Sequence, residues 1–185
     1  MSYSIGILVG SLRKDSFSKK IALAISKKLP EDFEGKLIDI SRLALFNQDL
    51  EAEPPQEWLD FREEVKSSDG VLFVTPEYNR SIPAVLKNAL DVASRPYGQG
   101  AWQGKPGAIA SSSPGKIGGF GASQHLRQAA VCVGLEVMGS PEFYLGGVHE
   151  ILDGNGDVSG AYATALLDGF VAAYVKWVRS LAPKA

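Results

Sequence analysis

Short apolar runs alternate with stretches of helical periodicity along the whole chain. SIGILVG (4–10) is continuous, apolar and partly β-branched, as a strand covered on both faces requires. Phe17, Ile21, Ile25 and Leu29 then recur every fourth residue, the stripe of an amphipathic helix, which Pro30 stops. KLIDI (36–40) predicts a second strand, LALFNQDLEAEPPQ (43–56) an irregular loop and 57–67 a helix. GVLFVTP (70–76) predicts a third buried strand closed by its proline, and PAVLKNALDVA (83–93) a helix that tolerates Pro83 in its first turn. KPGAIASSS (105–113) predicts a fourth strand running into a Gly/Ser loop, and 122–133 a helix. GLEVMG with PEFYLG (134–146) predicts a fifth strand and its extension. Tyr162, Leu166, Phe170, Tyr174, Trp177 and Leu181 draw the stripe of a long final helix.

Five strand-then-helix units in succession predict an α/β fold: a parallel sheet with right-handed crossovers and helices on both faces. With no second nucleotide-binding half, the doubly wound five-stranded order 2-1-3-4-5, flavodoxin-like, is favoured. No repeat, linker or low-complexity tract divides residues 1–185, so a single domain is expected. Ligands of such sheets bind beyond the carboxyl ends of the strands, where the strand order reverses. The loops after residues 10, 75 and 111 are therefore the places to look.

Composition narrows the function without naming it. The chain has 185 residues, 45% of them apolar and 22% charged, with a net charge of -2. Nothing in that balance points to nucleic acid or to an anionic membrane. IGILVG is too short for the core of a signal peptide and lacks a small-residue cleavage site, and no run reaches the ~18 apolar residues of a membrane span. A cytoplasmic protein is expected. Asn79-Arg80-Ser81 matches a glycosylation acceptor, and with no secretion signal read in the sequence a chance match is expected. The lone Cys132 cannot form an internal disulfide, and its run AAVCVGL predicts a buried free thiol. One cysteine and two histidines give no zinc site.

Several familiar motifs fail. GQGAWQGKP lacks the leading glycine and the closing hydroxyl of a phosphate-binding P-loop. G-x-G-x-x-G is absent both after the first strand and within PGKIGGFGASQ, and no G-x-S-x-G elbow occurs. DGNGDVSG (153–160) misses the spacing of a calcium loop and reads as a surface turn.

LVGSLRKDSFSKK (8–20) is different, because Arg13, Lys14, Lys19 and Lys20 crowd the start of a helix. A helix N-terminus is already positive, so cations there call for an anion. Ser11, Ser16 and Ser18 offer hydroxyl donors and Arg13 a fork that matches phosphate. A solvated loop with Ser16 as a plain N-cap is the competing reading. In TPEYNRSIPAVLKNALD, Pro76 halts the strand, Glu77 to Asn79 offer backbone and amide partners, and Tyr78 offers an aromatic face for a planar heterocycle. In SSSPGKIGGFG, glycines would let the backbone approach a ligand closely.

Three segments together, GSLRKDSFSKK (10–20), PEYNRSIPAVLKNALD (76–91) and SSSPGKIGGFGASQHLRQ (111–128), resemble the NADPH-dependent FMN reductases, nearest the quinone and chromate reductases among them. The resemblance covers about residues 4–180 and implies a flavodoxin-like fold, bound FMN, and NADPH or NADH as electron donor. By this resemblance Ser11, Arg13, Ser16 and Ser18, with the Phe17 backbone, hold the FMN phosphate. Pro76, Glu77, Tyr78 and Asn79 flank the isoalloxazine ring, and Ser112, Ser113, Gly115 and Gly118 approach from the other side. Two positions depart from the family pattern: Ser18 replaces a frequent Asn, keeping a donor with shorter reach, and Asp15 replaces a frequent Gly. The resemblance also implies a homodimer or homotetramer; Tyr97 and Trp102 are candidates for its boundary or, equally, for the core or its rim.

The expected activity passes hydride from NAD(P)H through FMN to a quinone or similar acceptor (free flavin, azo compound, chromate) by a ping-pong mechanism. No catalytic side chain is required, since the flavin carries the chemistry; neither His125, on the fourth helix, nor His149, in a loop, is assigned a role. Donors around Gly115 would stabilise the reduced flavin. A non-enzymatic flavodoxin-type electron carrier is the alternative, against which Arg13 and the near-neutral charge argue; a phosphate-binding regulator without redox chemistry is the third reading.

Overall fold

The computed structural model of the chain describes residues 2–153 and 156–182. Its elements run β1 (Tyr3–Val9), α1 (Phe17–Lys27), β2 (Phe33–Ile38), α2 (Gln56–Ser67), β3 (Gly70–Thr75), α3 (Ala84–Ala93), β4 (Pro106–Ser113), α4 (Phe120–Cys132), β5 (Glu136–Val137), β6 (Phe143–Gly146), α5 (Val148–Ile151) and α6 (Ala161–Leu181). All strand pairings are parallel, in the order β2-β1-β3-β4-β5. The fifth position is split. β5 pairs with Pro106 and Gly107 at the start of β4, and β6 with Ala110–Ser113 at its end. Gly139, Ser140 and Pro141 lie between the two pieces, where a proline has no N–H to continue the ladder.

Side chains alternate across the sheet, as a strand period of two dictates. Ile5 and Ile7 of β1, Leu72 and Val74 of β3 and Ala108 and Ala110 of β4 face a core built with α1 and α6. Leu8, Val71, Phe73 and Ile109 face the opposite core, with Trp58 and Phe61 of α2, Leu86 and Leu90 of α3 and Leu126 of α4. The β2 prediction is shifted, because pairing begins at Phe33 opposite Tyr3, whose rings stack at 4.6 Å, and ends at Ile38.

Three expectations are corrected, and for Trp102 one of two open alternatives is selected. The buried stripe of α6 is Ala163, Leu167, Phe170, Val171, Tyr174, Val175 and Val178, so only Phe170 and Tyr174 of the predicted stripe lie fully inside. The sheet surface selects that stripe, with Gly70 packed against Tyr174 and Val178; Tyr162 stands 80% exposed, and Trp177 lies at the rim, donating to the Glu136 carbonyl at 2.8 Å. Cys132 is exposed, because α4 buries only Ala122, Ser123, Leu126 and Ala130 and the thiol points off that line. Trp102, a candidate for a subunit boundary, is fully buried and donates to the Leu90 carbonyl at 3.0 Å. His149 lies on the short α5 rather than in a loop. In DGNGDVSG, Gly154 and Asn155 lie outside the described residues; around them the Asp153 N–H donates to the Asp157 carbonyl at 2.9 Å and Asp157 pairs with Lys27.

The Tyr174 hydroxyl is buried and has no hydrogen-bond partner among the described residues. An unsatisfied buried hydroxyl costs about 1–3 kcal/mol, so Tyr174→Phe is expected to raise the unfolding free energy by about 1 kcal/mol in urea denaturation. Burial pushes this phenol well above its ordinary value. The folded chain therefore holds its proton more tightly than the unfolded chain, and stability falls as pH rises above about 10. The variant lacks that part of the alkaline loss; equal alkaline sensitivity in both proteins would show that Tyr174 is not its source.

Candidate functional site

Register sets the site. Val9 lies opposite Val74, and Thr75 opposite Ser111, so the carboxyl ends of β1, β3 and β4 come level at one edge. The three loops that leave them enclose a cavity of about 140 Å³. Ser11, Arg13, Ser16, Phe17 and Ser18 line it from the first loop, Pro76, Glu77 and Tyr78 from the second, and Ser112 and Ser113 from the third. Pro114 and Val148, which the sequence did not single out, complete it.

The first loop holds its polar groups ready. Ser16 is 2% exposed and caps α1, accepting the Lys19 N–H at 3.2 Å. A hydroxyl that accepts there still has its own proton to donate. Two further hydroxyls, Ser18 Oγ and Ser112 Oγ, are buried at the cavity wall without a hydrogen-bond partner among the described residues. None of the salt bridges of the described residues involves Arg13. Converging donors at a helix start, with orphaned hydroxyls beside them, suit a phosphate-bearing ligand.

The second loop is a two-residue hairpin turn. Tyr78 and Ser81 exchange both backbone hydrogen bonds at 2.9 Å, and Asn79 and Arg80 both adopt positive φ, 50° and 65°. Asn79 sits at the exposed tip, outside the cavity wall. The Glu77 carboxylate turns to α4, accepting the Ala122 N–H at 3.2 Å and pairing with Arg80 at 3.1 Å. His125, distant in sequence, also reaches this turn, its Nδ1 lying 2.9 Å from Ser81 Oγ. Both contacts cross about 45 residues, and no local pattern announces them.

The third loop is braced rather than open. Ser111, fully buried, donates to the Gly118 carbonyl at 2.8 Å. Gly118 adopts φ +67°, and a Cβ there would lie 2.7 Å from the Tyr144 carbonyl carbon. Its lack of a side chain thus serves packing against β6, and it does not line the cavity. Gly115 is also outside the lining, and its N–H is taken by Ser113 Oγ at 3.1 Å.

A doubly wound parallel sheet with an anion-ready loop after its first strand and a ligand cavity at the strand-order reversal defines a flavodoxin-like protein. The chain matches the family described as NADPH-dependent FMN reductase over residues 3–150, and it belongs to that family. It is 49% identical over 178 residues to a quinone reductase of Pseudomonas putida, covering 96% of this chain and 95% of that one. It is 43% identical over 179 residues to a 2-hydroxy-1,4-benzoquinone reductase of Burkholderia, covering 97% and 98%. Among solved structures, FerB, the flavoenzyme NAD(P)H:(acceptor) oxidoreductase of Paracoccus denitrificans, superposes with a TM-score of 0.91 at 39% identity, covering 97% of this chain and 98% of that one. The protein is an NAD(P)H-dependent oxidoreductase whose cofactor is FMN. Among the described residues, no helix is long and apolar enough to cross a membrane.

Proposed function

We propose that this protein reduces quinones with NAD(P)H, using FMN held in the three-loop cavity. The observation that carries the reading is the pair of orphaned hydroxyls, Ser18 and Ser112, buried in the same wall as Arg13. Arg13, Ser11, Ser16 and Ser18, with the Phe17 N–H, hold the phosphate. Pro76, Glu77 and Tyr78 present backbone groups to one side of the ring, and Ser112 and Ser113 shape the other, while Asn79, Gly115 and Gly118 lie outside the cavity wall and are assigned no contact with it. Because the Glu77 carboxylate is engaged with α4 and Arg80, its contribution at the ring is through its backbone.

Bound FMN supplies a centre that accepts hydride and passes on two electrons. Overall, NAD(P)H, a proton and a quinone give NAD(P)+ and a hydroquinone. The protein orients and shields rather than supplying an acid or base: His125 is engaged with Ser81, and His149 lies beside Glu150 at 3.5 Å. Bound FMN would serve donor and acceptor in turn, which is the basis for ping-pong kinetics and for free flavin, azo compounds or chromate as further acceptors. The assembly is a homodimer or homotetramer.

The purified protein is expected to be yellow, with a heat-released pigment of the mass of FMN. Anaerobic NADPH bleaches it rapidly and a quinone restores the colour, with parallel double-reciprocal lines in steady state. Colourless protein that takes up no FMN overturns the reading. Yellow protein that NAD(P)H cannot bleach would instead be an electron carrier.

A further inference from the structure

Lys14 and Lys19, two of the cations crowding the start of α1, do not line the flavin cavity. They line a second cavity, of about 430 Å³, on the other side of the first loop, and share it with Ser11 and Arg13. The facing wall is the end of β2 and the turn beyond it, including Leu37, Asp39 and Ile40. Leu12 and Leu37 are 53% and 39% exposed, giving this space an apolar surface on both sides. Asp39 accepts the Ser41 N–H at 2.8 Å. That hydrogen bond, with Arg42 and Lys19 nearby, holds its carboxyl below the ordinary range. Asp39 is therefore an acceptor at neutral pH. Arg13 is taken by the flavin phosphate on the reading above, and the two lysines face the one carboxylate across the cavity, so its own lining keeps one net positive charge.

The combination specifies a ligand chemistry. A phosphomonoester carries close to two negative charges and suits Lys14 and Lys19. A flat base suits the leucines, and its amino group can donate to Asp39. Because the two cavities share Ser11 and Arg13, a dinucleotide can lie across the first loop with one end at each. We propose, resting on the flavin reading above, that this second cavity receives the 2′-phosphoadenosine end of NADPH, with Lys14 and Lys19 on the phosphate. NADH places only a ribose hydroxyl there, so the lysines make the protein selective for NADPH.

The test uses the flavin-loaded protein carrying Lys14→Ala and Lys19→Ala together. Lys19 lies in the first turn of α1, where a cation opposes the helix dipole, so its loss does not weaken the fold. Rates are normalised to bound flavin with one quinone as acceptor. The ratio of kcat/KM for NADPH to that for NADH is expected to fall by about tenfold or more, as for one or two lost charge-assisted contacts. An unchanged ratio overturns the proposal.

Adenosine 2′,5′-bisphosphate is the second probe, titrated calorimetrically beside adenosine 5′-monophosphate. The bisphosphate is expected to bind the wild type at least about tenfold better than the monophosphate, and to lose that advantage in the double variant. Absent binding, or an advantage that survives the substitutions, overturns the proposal. So does a bisphosphate that displaces FMN rather than NADPH, since it would assign the lysines to the flavin phosphate. Should neither nicotinamide bleach the flavin, the redox reading fails, while the same titration still decides what the second cavity holds.

Discussion

Replacing Arg13 with alanine is expected to weaken FMN binding by about 1.5–3 kcal/mol, or roughly ten- to a hundredfold, the cost of losing a hydrogen bond to a charged group. Arg13 is the residue of the first loop that combines full charge with a fork matched to phosphate. It lines the cavity, while Ser16 spends part of its capacity capping α1. Because Arg13 is exposed, the effect lies toward the lower end and shrinks as salt is raised. Arg13→Lys keeps the charge but not the fork, and is expected to recover only part of the loss. Quenching of flavin fluorescence on titration into apoprotein measures both. Unchanged affinity in Arg13→Ala would place the phosphate elsewhere.

Gly118→Ala acts through the fold and is expected to cost about 2–5 kcal/mol, combining a left-handed backbone with overpacking. At φ +67° an added Cβ would meet backbone of β6, the Tyr144 carbonyl carbon at 2.7 Å and the Leu145 nitrogen at 2.8 Å. Neither can yield without disturbing the pairing of β6 with β4. In a chain of this size the melting temperature falls by roughly 2–4 °C per kcal/mol, so a drop of about 4–20 °C is expected by calorimetry. Gly115→Ala is the contrast: its nearest neighbour would be Ser113 Oγ at 3.5 Å, and the melting temperature is expected to stay close to that of the wild type. Equal losses in the two variants would mean that the loop, rather than its fit against β6, is what suffers.

These two positions mark what the sequence made legible. Continuous apolar strands, alternating with helices, specify a parallel sheet and its order, because only strands covered on both faces can be apolar throughout. That sheet in turn brings Arg13, Tyr78 and Ser113 to one edge. The loop after β1 stood out because its cations are out of place at a helix start, and the structure places Ser11, Arg13, Ser16, Phe17 and Ser18 in one cavity wall. Gly118 was legible as a glycine but not for its purpose, since the backbone it abuts lies more than twenty residues away. The rotation of α6 was misread for a related reason. Its largest side chains draw one stripe, but the sheet surface at Gly70 selects another, and only packing shows which fits. Glu77 and His125 were hidden more deeply still, because both act on partners that the fold alone brings near.

The turn at Asn79 and Arg80 has a kinetic consequence. Its ends are tied by the Tyr78–Ser81 pair, and Glu77 and His125 fasten it to α4. Ordering a mobile residue costs about 1–2 kcal/mol in chain entropy. Folding has already met that cost for this turn, so on the proposed reading flavin capture is expected to need no further ordering of it. Any slow ordering step on uptake is then expected from the other two loops rather than from this edge.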